Sequence, residues 1–328
     1  MLQMKKTLSL VLAMLLILAL MTACAPKAPP EPAAPSAEPT APSAEPTQAP
    51  ADTGITVTDA LGREVKLAAP AERMVILTAA ECEIVCALGA GDRIAGRGSY
   101  CDWPAEILEK TEVSSGLETN VEQIIGLQPD LVIMTSMNQS QEQIATLEAS
   151  GIPCLVTNGF ECDFDAVYGS IRLIGECIGR TAEAEALVGS MQSAFADIAA
   201  KASGDGTKTV YFEVSPLEWG LWTAGAGTFM DEMCSVLGVT NAFADVNDWA
   251  EISEEQVIGR DPDYIVTIAM DYGTGESPVD EIMGRPGWQD LKAVRNGDVF
   301  NADSDQLSRP GPRLVEAAEM LYGFIYGE

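Results

Sequence analysis

The stretch TAEAEALVGSMQSAFADIAAKAS, Thr181 to Ser203, reads as one uninterrupted helix of roughly 33 Å at about 1.5 Å per residue. Thr181 stands where a cap would, Glu183 and Glu185 occupy the first turn, Lys201 the last, and Gly204 is placed to stop it. Leu187, Met191, Ala194, Ile198 and Ala202 recur every three or four residues, which predicts one narrow apolar stripe. An ordinary surface helix has the same pattern. What sets this one apart is its place between two halves that repeat each other.

The repeat is legible residue by residue. Glu122 to Ile133 (EQIIGLQPDLVI) is echoed by Glu255 to Val266 (EQVIGRDPDYIV), each a short helix, a Pro-Asp turn and a β-rich run. Upstream in each half, Glu83 to Gly89 (EIVCALG) is echoed by Glu232 to Gly238 (EMCSVLG), helix ends closed by Leu-Gly. Two echoes in the same order on either side of one helix predict duplicated lobes: residues 54–180, the inter-lobe helix 181–203, and residues 204–328.

The first fifty-odd residues are of another kind. Residues 1–23 form a lipoprotein leader, with Lys5 and Lys6 before an apolar run from Leu8 to Leu20 that is too short to span a bilayer comfortably. Met21-Thr22-Ala23-Cys24 resembles a lipobox, which makes Cys24 the expected lipidated first residue of the mature chain and a lipid anchor its contact with the membrane. Residues 24–53 are nearly all Ala, Pro, Ser, Glu and Thr, a spacer without a packed core.

The formal net charge is −30, and loss of Lys5 and Lys6 with the leader takes it to about −32. Such acidity argues against nucleic acid and anionic membrane as ligands. The chain has no histidine, which removes the commonest zinc ligand, the usual haem ligand and the usual general base. Beyond Cys24, the seven cysteines (82, 86, 101, 154, 162, 177 and 234) form no CxxC pair. They read as small buried hydrophobes, with a disulfide or a thiolate metal site as the alternatives.

From Ile55 onward strands and helices alternate. A hairpin, Ile55–Thr58 with Val65–Leu67, leads into strands at Met74–Thr78, Ile94–Gly96, Leu131–Met134 and Ile152–Thr157, separated by helices at Cys82–Leu88, Val121–Leu127 and Gln141–Ala149. A helix from Asp165 to Ile178 precedes the long one, and the second half repeats the alternation to a closing helix, Arg313–Tyr326. The predicted class is α/β, two Rossmann-like lobes with mainly parallel sheets joined by one rigid helix.

Ligands of open α/β sheets bind beyond the carboxyl ends of the strands. The segments there include Thr78–Glu81, Ser99–Trp103, Thr135–Asn138 and Asn158–Glu161 in the first lobe. In the second they are Pro216–Trp222, Asp248–Trp249, Met270–Tyr272 and Asp303–Arg309. Tyr100 and four of the five tryptophans (Trp103, Trp219, Trp222, Trp249) fall in them, which suits a large, flat or hydrophobic ligand. No GxSxG elbow, Walker loop or GxGxxG fingerprint is present; Gly225-Ala226-Gly227 before a helix is at most an anion cradle. A binding protein fits better than an enzyme, and no cofactor is expected.

Several motifs together resemble the iron-siderophore/cobalamin family of ABC-importer solute-binding proteins. They are the lipobox and spacer, Thr58–Arg63 (TDALGR), Asn120–Ile124, Gln128–Ile133, Gly151-Ile152-Pro153 and Arg309–Arg313 (RPGPR). The resemblance implies a monomeric receptor with little hinge motion that holds a metal chelate, siderophore or corrinoid, between its lobes and passes it to an ABC permease with its ATPase. It implies Trp222, Trp249, Asp305 and Arg309 around the ligand, to which the loop reading adds Tyr100, with Arg313 as a second cation for an anionic chelate. Thr135 departs from the cobalamin-binding relatives, which carry tryptophan there. The family docks each lobe through one surface glutamate, and Glu142 and Glu255 stand at the matching positions. A haem-binding relative, for which only Tyr and Met ligands are present, is the alternative within the family. From other classes come a surface-anchored enzyme with Cys101 or Cys162 as nucleophile, and an adhesion module.

Overall fold

The structure, a computed structural model, describes residues 54–116, 118–136, 140–159, 162–270 and 275–327. The expected leader, Cys24 and the spacer lie outside the described residues, as do Met137, Asn138, Phe160, Glu161, Asp271 and Tyr272.

In the first half, the hairpin β1 (Ile55–Thr58) and β2 (Glu64–Leu67) precedes β3 (Met74–Ile76), α1 (Ala79–Ala87), β4 (Ile94–Gly98), β5 (Thr111–Val113), α2 (Val121–Gly126), β6 (Leu131–Thr135), α3 (Gln141–Ala149), β7 (Cys154–Thr157) and α4 (Phe164–Cys177). The helix α5 (Thr181–Lys201) follows. The second half holds β8 (Thr209–Glu213), β9 (Leu221–Ala224), α6 (Phe229–Val236), β10 (Thr240–Asn241), β11 (Trp249–Ile252), α7 (Glu254–Arg260), β12 (Tyr264–Thr267), α8 (Pro278–Gly284), α9 (Lys292–Asn296), β13 (Val299–Asn301), α10 (Ser304–Ser308) and α11 (Leu314–Tyr326).

Two parallel sheets result, ordered β5-β4-β3-β6-β7 and β10-β8-β12-β13. The repeat occupies equivalent places in both, since α2 leads into β6 beside β3, and α7 leads into β12 beside β8. Its turn is the same object twice. Gln128 and Asp261, each before the proline, take left-handed φ of 51° and 47°. Asp130 then accepts from the amides of Glu72 and Arg73 at the head of β3, and Asp263 from the amide of Thr209 at the head of β8.

The long helix begins one residue away from the expected cap. Arg180 is the N-cap, Thr181 is already helical, and no side chain caps it. The buried face also differs from the predicted stripe: it is Ala184, Val188, Met191, Phe195 and Ile198, while Leu187, Ala194 and Ala202 are only half-buried. Two contacts rotate the helix onto that face. Phe195 stacks on Phe164 of α4 at 4.5 Å between centroids, and Ala184 fits against Gly175, where a Cβ would come within 2.5 Å of the Ala184 methyl. Beyond the helix, a Cβ on Gly204 would strike the Gly238 carbonyl at 2.1 Å, and Tyr326 Oη accepts from the Gly204 amide while donating to Leu237 O. The helix ends at Lys201 with Ala202 as its C-cap, short of the expected Ser203, so Gly204 serves this close approach and not the stop.

One apolar core runs from β1 and β3 through α4 and α5 into α6 and α11, so the two halves share packing. A second cluster covers the outer face of the first sheet and a third the outer face of the second. Two expectations fail at β9 and β11. The stretches ending in Trp222 and beginning at Trp249 carry strand, pairing antiparallel as a small ribbon with Trp222 opposite Glu251 and Trp249 opposite Ala224. Likewise α1 starts earlier than expected, so Glu81 is helical.

Candidate functional site

The order β5-β4-β3-β6-β7 reverses direction at β3, and crevices of open sheets open at such a point. A cavity of about 490 Å³ lies there, within the usual range for small-molecule sites, about 300–1,000 Å³. From the first half, Leu77 and Thr78 after β3, Glu81 of α1, Tyr100 after β4, Ser115 and Gly116 after β5, Thr135 of β6 and Gly159 after β7 line it. The second half closes it with Met270 after β12 and with Asp305, Ser308, Arg309 and Pro310 around α10.

The charged side of this cavity is an ion-pair network that ties the halves together. Arg309 donates to Glu83 of α1 at 2.8 Å and to Asp102 at 2.8 Å, and pairs with Asp305 one turn away at 2.6 Å. Arg313 shares Glu83 at 3.2 Å, approaches Glu316 at 3.7 Å, and lies 4.5 Å over the ring of Trp103. Burial works against the Arg309 charge, but the hydrogen bonds to Asp102 and Glu83 outweigh it and hold its pKa above the usual value. Two guanidinium groups thus face four carboxylates. The repeat places a counterpart on the other side: Glu232, equivalent to Glu83, accepts from the Phe164 amide of α4 at 2.6 Å, beside a backbone bond from Phe229 N to Cys162 O.

Of the five residues expected at the ligand, the cavity brings together Tyr100, Asp305 and Arg309. Tyr100 is the aromatic among its described lining, with 74 % of its surface exposed. Trp222 and Trp249 sit instead on the ribbon at the carboxyl end of β8, where the Trp222 carbonyl accepts from Val214 N. Trp222 is 39 % exposed, whereas Trp249 packs partly buried against Phe229 with centroids 6.0 Å apart. Trp219 is exposed nearby in sequence. Arg313, the second expected cation, is consumed by Glu83 and Trp103.

Glu83 and Glu81 are site residues that sequence reasoning did not single out. The signal for Glu83 is its position at the head of a repeated segment, matched by Glu232. Glu81 carries no comparable signal: it is one acid at the start of a helix, and only its burial, 1 % exposed, marks it. Burial pushes its carboxyl above the usual range, against the lowering effect of neighbouring hydroxyls.

The expected docking glutamates sit in matching local frames. Ser140 caps α3 and Ser253 caps α7, each in a reciprocal capping box closed by Gln143 and Gln256. Glu142 and Glu255 are therefore both the second residue of a rigidly begun helix, and both are exposed. All seven described cysteines are free thiols. Cys101 is buried with its Sγ 3.6 Å from Ile76 O, and burial pushes the Cys162 thiol to about 12, so neither is an activated nucleophile. Among the described residues no group of three or more His, Cys, Asp or Glu is arranged to hold a metal ion, and no described helix is long and apolar enough to cross a membrane.

A sequence profile of the family described as "Periplasmic binding protein" matches residues 74–306. The chain is 36 % identical over 277 residues to the ABC transporter substrate-binding lipoprotein YvrC of Bacillus subtilis, covering 83 % of this chain and 85 % of that one. It is 25 % identical to the vitamin B12-binding protein of Vibrio cholerae serotype O1, over 78 % of this chain and 90 % of the relative. Among solved structures, the heme-binding protein RhuT of Roseiflexus sp. RS-1 superposes with a TM-score of 0.68 at 27 % identity, covering 78 % of this chain and 98 % of that one. A possible iron-binding solute-binding protein of Staphylococcus epidermidis gives 0.67 at 27 % identity, over 78 % and 99 %.

Proposed function

The chain belongs to the periplasmic binding protein family, and from that premise we infer that it is the extracytoplasmic receptor of an ABC importer whose cargo is a corrinoid. Receptors similar to it carry names for vitamin B12, haem and iron binding. The observation that carries the choice among these is the charge balance of the cavity. Arg309 and Arg313 are each held by carboxylates from this chain, with Glu83, Asp102, Asp305 and Glu316 around them. No excess positive charge is left for the carboxylates of an anionic siderophore or the propionates of haem. An uncharged, amide-rimmed macrocycle meets no such conflict.

A corrinoid is also larger than 490 Å³ of cavity, so part of it would stand outside. Exposed Tyr100 in the lining and exposed Trp222 on the ribbon would supply aromatic surface for that part. Lipidation at Cys24, a tether through residues 24–53, a monomeric state, and docking on the permease through Glu142 and Glu255 belong to the same reading. A thermal-shift panel of cyanocobalamin, a neutral ferric hydroxamate, an anionic ferric catecholate and haem tests it, because a tight ligand raises the melting point by mass action. Cyanocobalamin is expected to give the largest rise. A larger rise with haem or the catecholate would overturn the corrinoid reading.

A further inference from the structure

Buried polar atoms in folded proteins nearly always have a hydrogen-bond partner, so an orphan on a cavity wall asks for an explanation. This cavity has two, on neighbouring turns of chain. Glu81 is 1 % exposed; its Oε1 accepts from the Thr157 hydroxyl at 2.7 Å, while Oε2 has no partner. Thr78, three residues earlier, has its Oγ1 buried as well, with no well-formed hydrogen bond and only the Glu81 carboxyl beside it. Both line the cavity. Thr78 is the N-cap residue of α1 but its side chain makes no capping bond, so its hydroxyl is not engaged in holding the helix. The charged neighbours are satisfied without these two, since Arg309 and Asp305 pair with each other.

We propose that Glu81 Oε2 and Thr78 Oγ1 form a subsite for one uncharged carboxamide of the ligand, and that this pair sets the receptor's preference for amide over carboxylate. The inference rests on the corrinoid reading, since a corrinoid's rim is built of such amides. A carboxamide offers an acceptor oxygen and an N–H donor a little over 2 Å apart, and the two orphans present a carboxyl and a hydroxyl. In the protonated form Glu81 donates its O–H to the amide carbonyl, and the Thr78 hydroxyl accepts from the amide nitrogen. Burial favours that protonated form. The titratable groups around it are Tyr100 from the loop after β4, Cys162 ahead of α4, and Asp305 and Arg309 from the second half. The Arg309 charge is neutralised by its three carboxylates. A ligand carboxylate at the same spot would face a carboxyl group and the Asp305 side of the network, with no free cation to meet it. Discrimination follows from the cost of burying that charge where Arg309 is already neutralised, a cost an amide does not carry.

The test is calorimetric titration of the full-length protein with cyanocobalamin and with its separated monocarboxylates, in each of which one amide is an acid. Wild type is expected to bind cyanocobalamin and to reject at least one monocarboxylate by tenfold or more. Glu81→Met is expected to lose about tenfold in cyanocobalamin affinity and to lose that discrimination, while its ligand-free melting point stays level or rises because an unpaired buried carboxyl has gone. Thr78→Val gives the same readout if the first variant folds poorly. Variants that bind both ligands as wild type does, with the fold intact, would overturn the subsite and leave the corrinoid reading standing. A wild type that binds no cyanocobalamin would overturn both.

Discussion

Arg309 serves two lobes at once, reaching Glu83 and Asp102 in one and Asp305 in its own. Removing it strands Glu83, whose side chain is 2 % exposed, with Arg313 alone. Arg309→Met should therefore cost on the order of 3 kcal/mol in ligand-free stability, read from the urea midpoint at unchanged slope. The exposed ring of Trp222 is expected to act on ligand and not on the fold: Trp222→Ala should weaken binding by about 1–3 kcal/mol with little change in melting point, and unaltered affinity would remove it from the site. Residue roles were unevenly legible. That Arg309, Asp305 and Tyr100 would meet at one cavity was legible because the carboxyl ends of strands are countable from the letters. The carboxylates that neutralise Arg309 could not, because Glu83 and Asp102 lie more than two hundred positions upstream and no local pattern pairs them.

Elements were easier to read where the same physics was written twice. Gln128-Pro129-Asp130 and Asp261-Pro262-Asp263 both turn a helix into a strand and both use the aspartate after the proline to hold the head of the neighbouring strand. The ribbon was missed for the opposite reason. In β9, Leu221, Thr223 and Ala224 are buried and Trp222 is exposed, and Gly220 precedes it, so four residues with an outward aromatic look like loop. The strand β5, with a burial pattern of two exposed residues and one buried, gives still less signal. The tilt of α5 depends on what α4 presents, namely Gly175 and Phe164. Gly175→Ala would need the two helices to part, since its Cβ would meet the Ala184 methyl at 2.5 Å and the Arg180 carbonyl at 3.1 Å. A loss of about 1–3 kcal/mol is expected, recoverable in part by Ala184→Gly; no loss would mean the helices are not in register as described.

Over the whole molecule, acidity and burial act together on stability. Burial raises the carboxyls of Glu81 and, against the lowering effect of the Phe164 amide, Glu232 above the ordinary carboxylate range. A raised folded pKa contributes stability that is full below the unfolded value and is lost as pH climbs through the folded one. Asp263, where the Lys208 and Thr209 contacts outweigh burial, is lowered and contributes down to about pH 4. The melting point should thus rise as pH falls from 8 toward 5, helped by relief of the −30 net charge, and drop below about pH 4. A profile that falls steadily from pH 8 to 5 would contradict this. Reversal of both Glu142 and Glu255 to Lys should leave cyanocobalamin affinity unchanged and abolish uptake in cells; normal uptake would refute docking through them. The shared core and the paired bridges, Arg309 with Glu83 and Glu232 with Phe164, leave the two halves little freedom to swing. A vacant copy would then present nearly the same silhouette as a laden one, and vacant copies would occupy the transporter's port. Import would slow, not quicken, once these molecules outnumber their cargo.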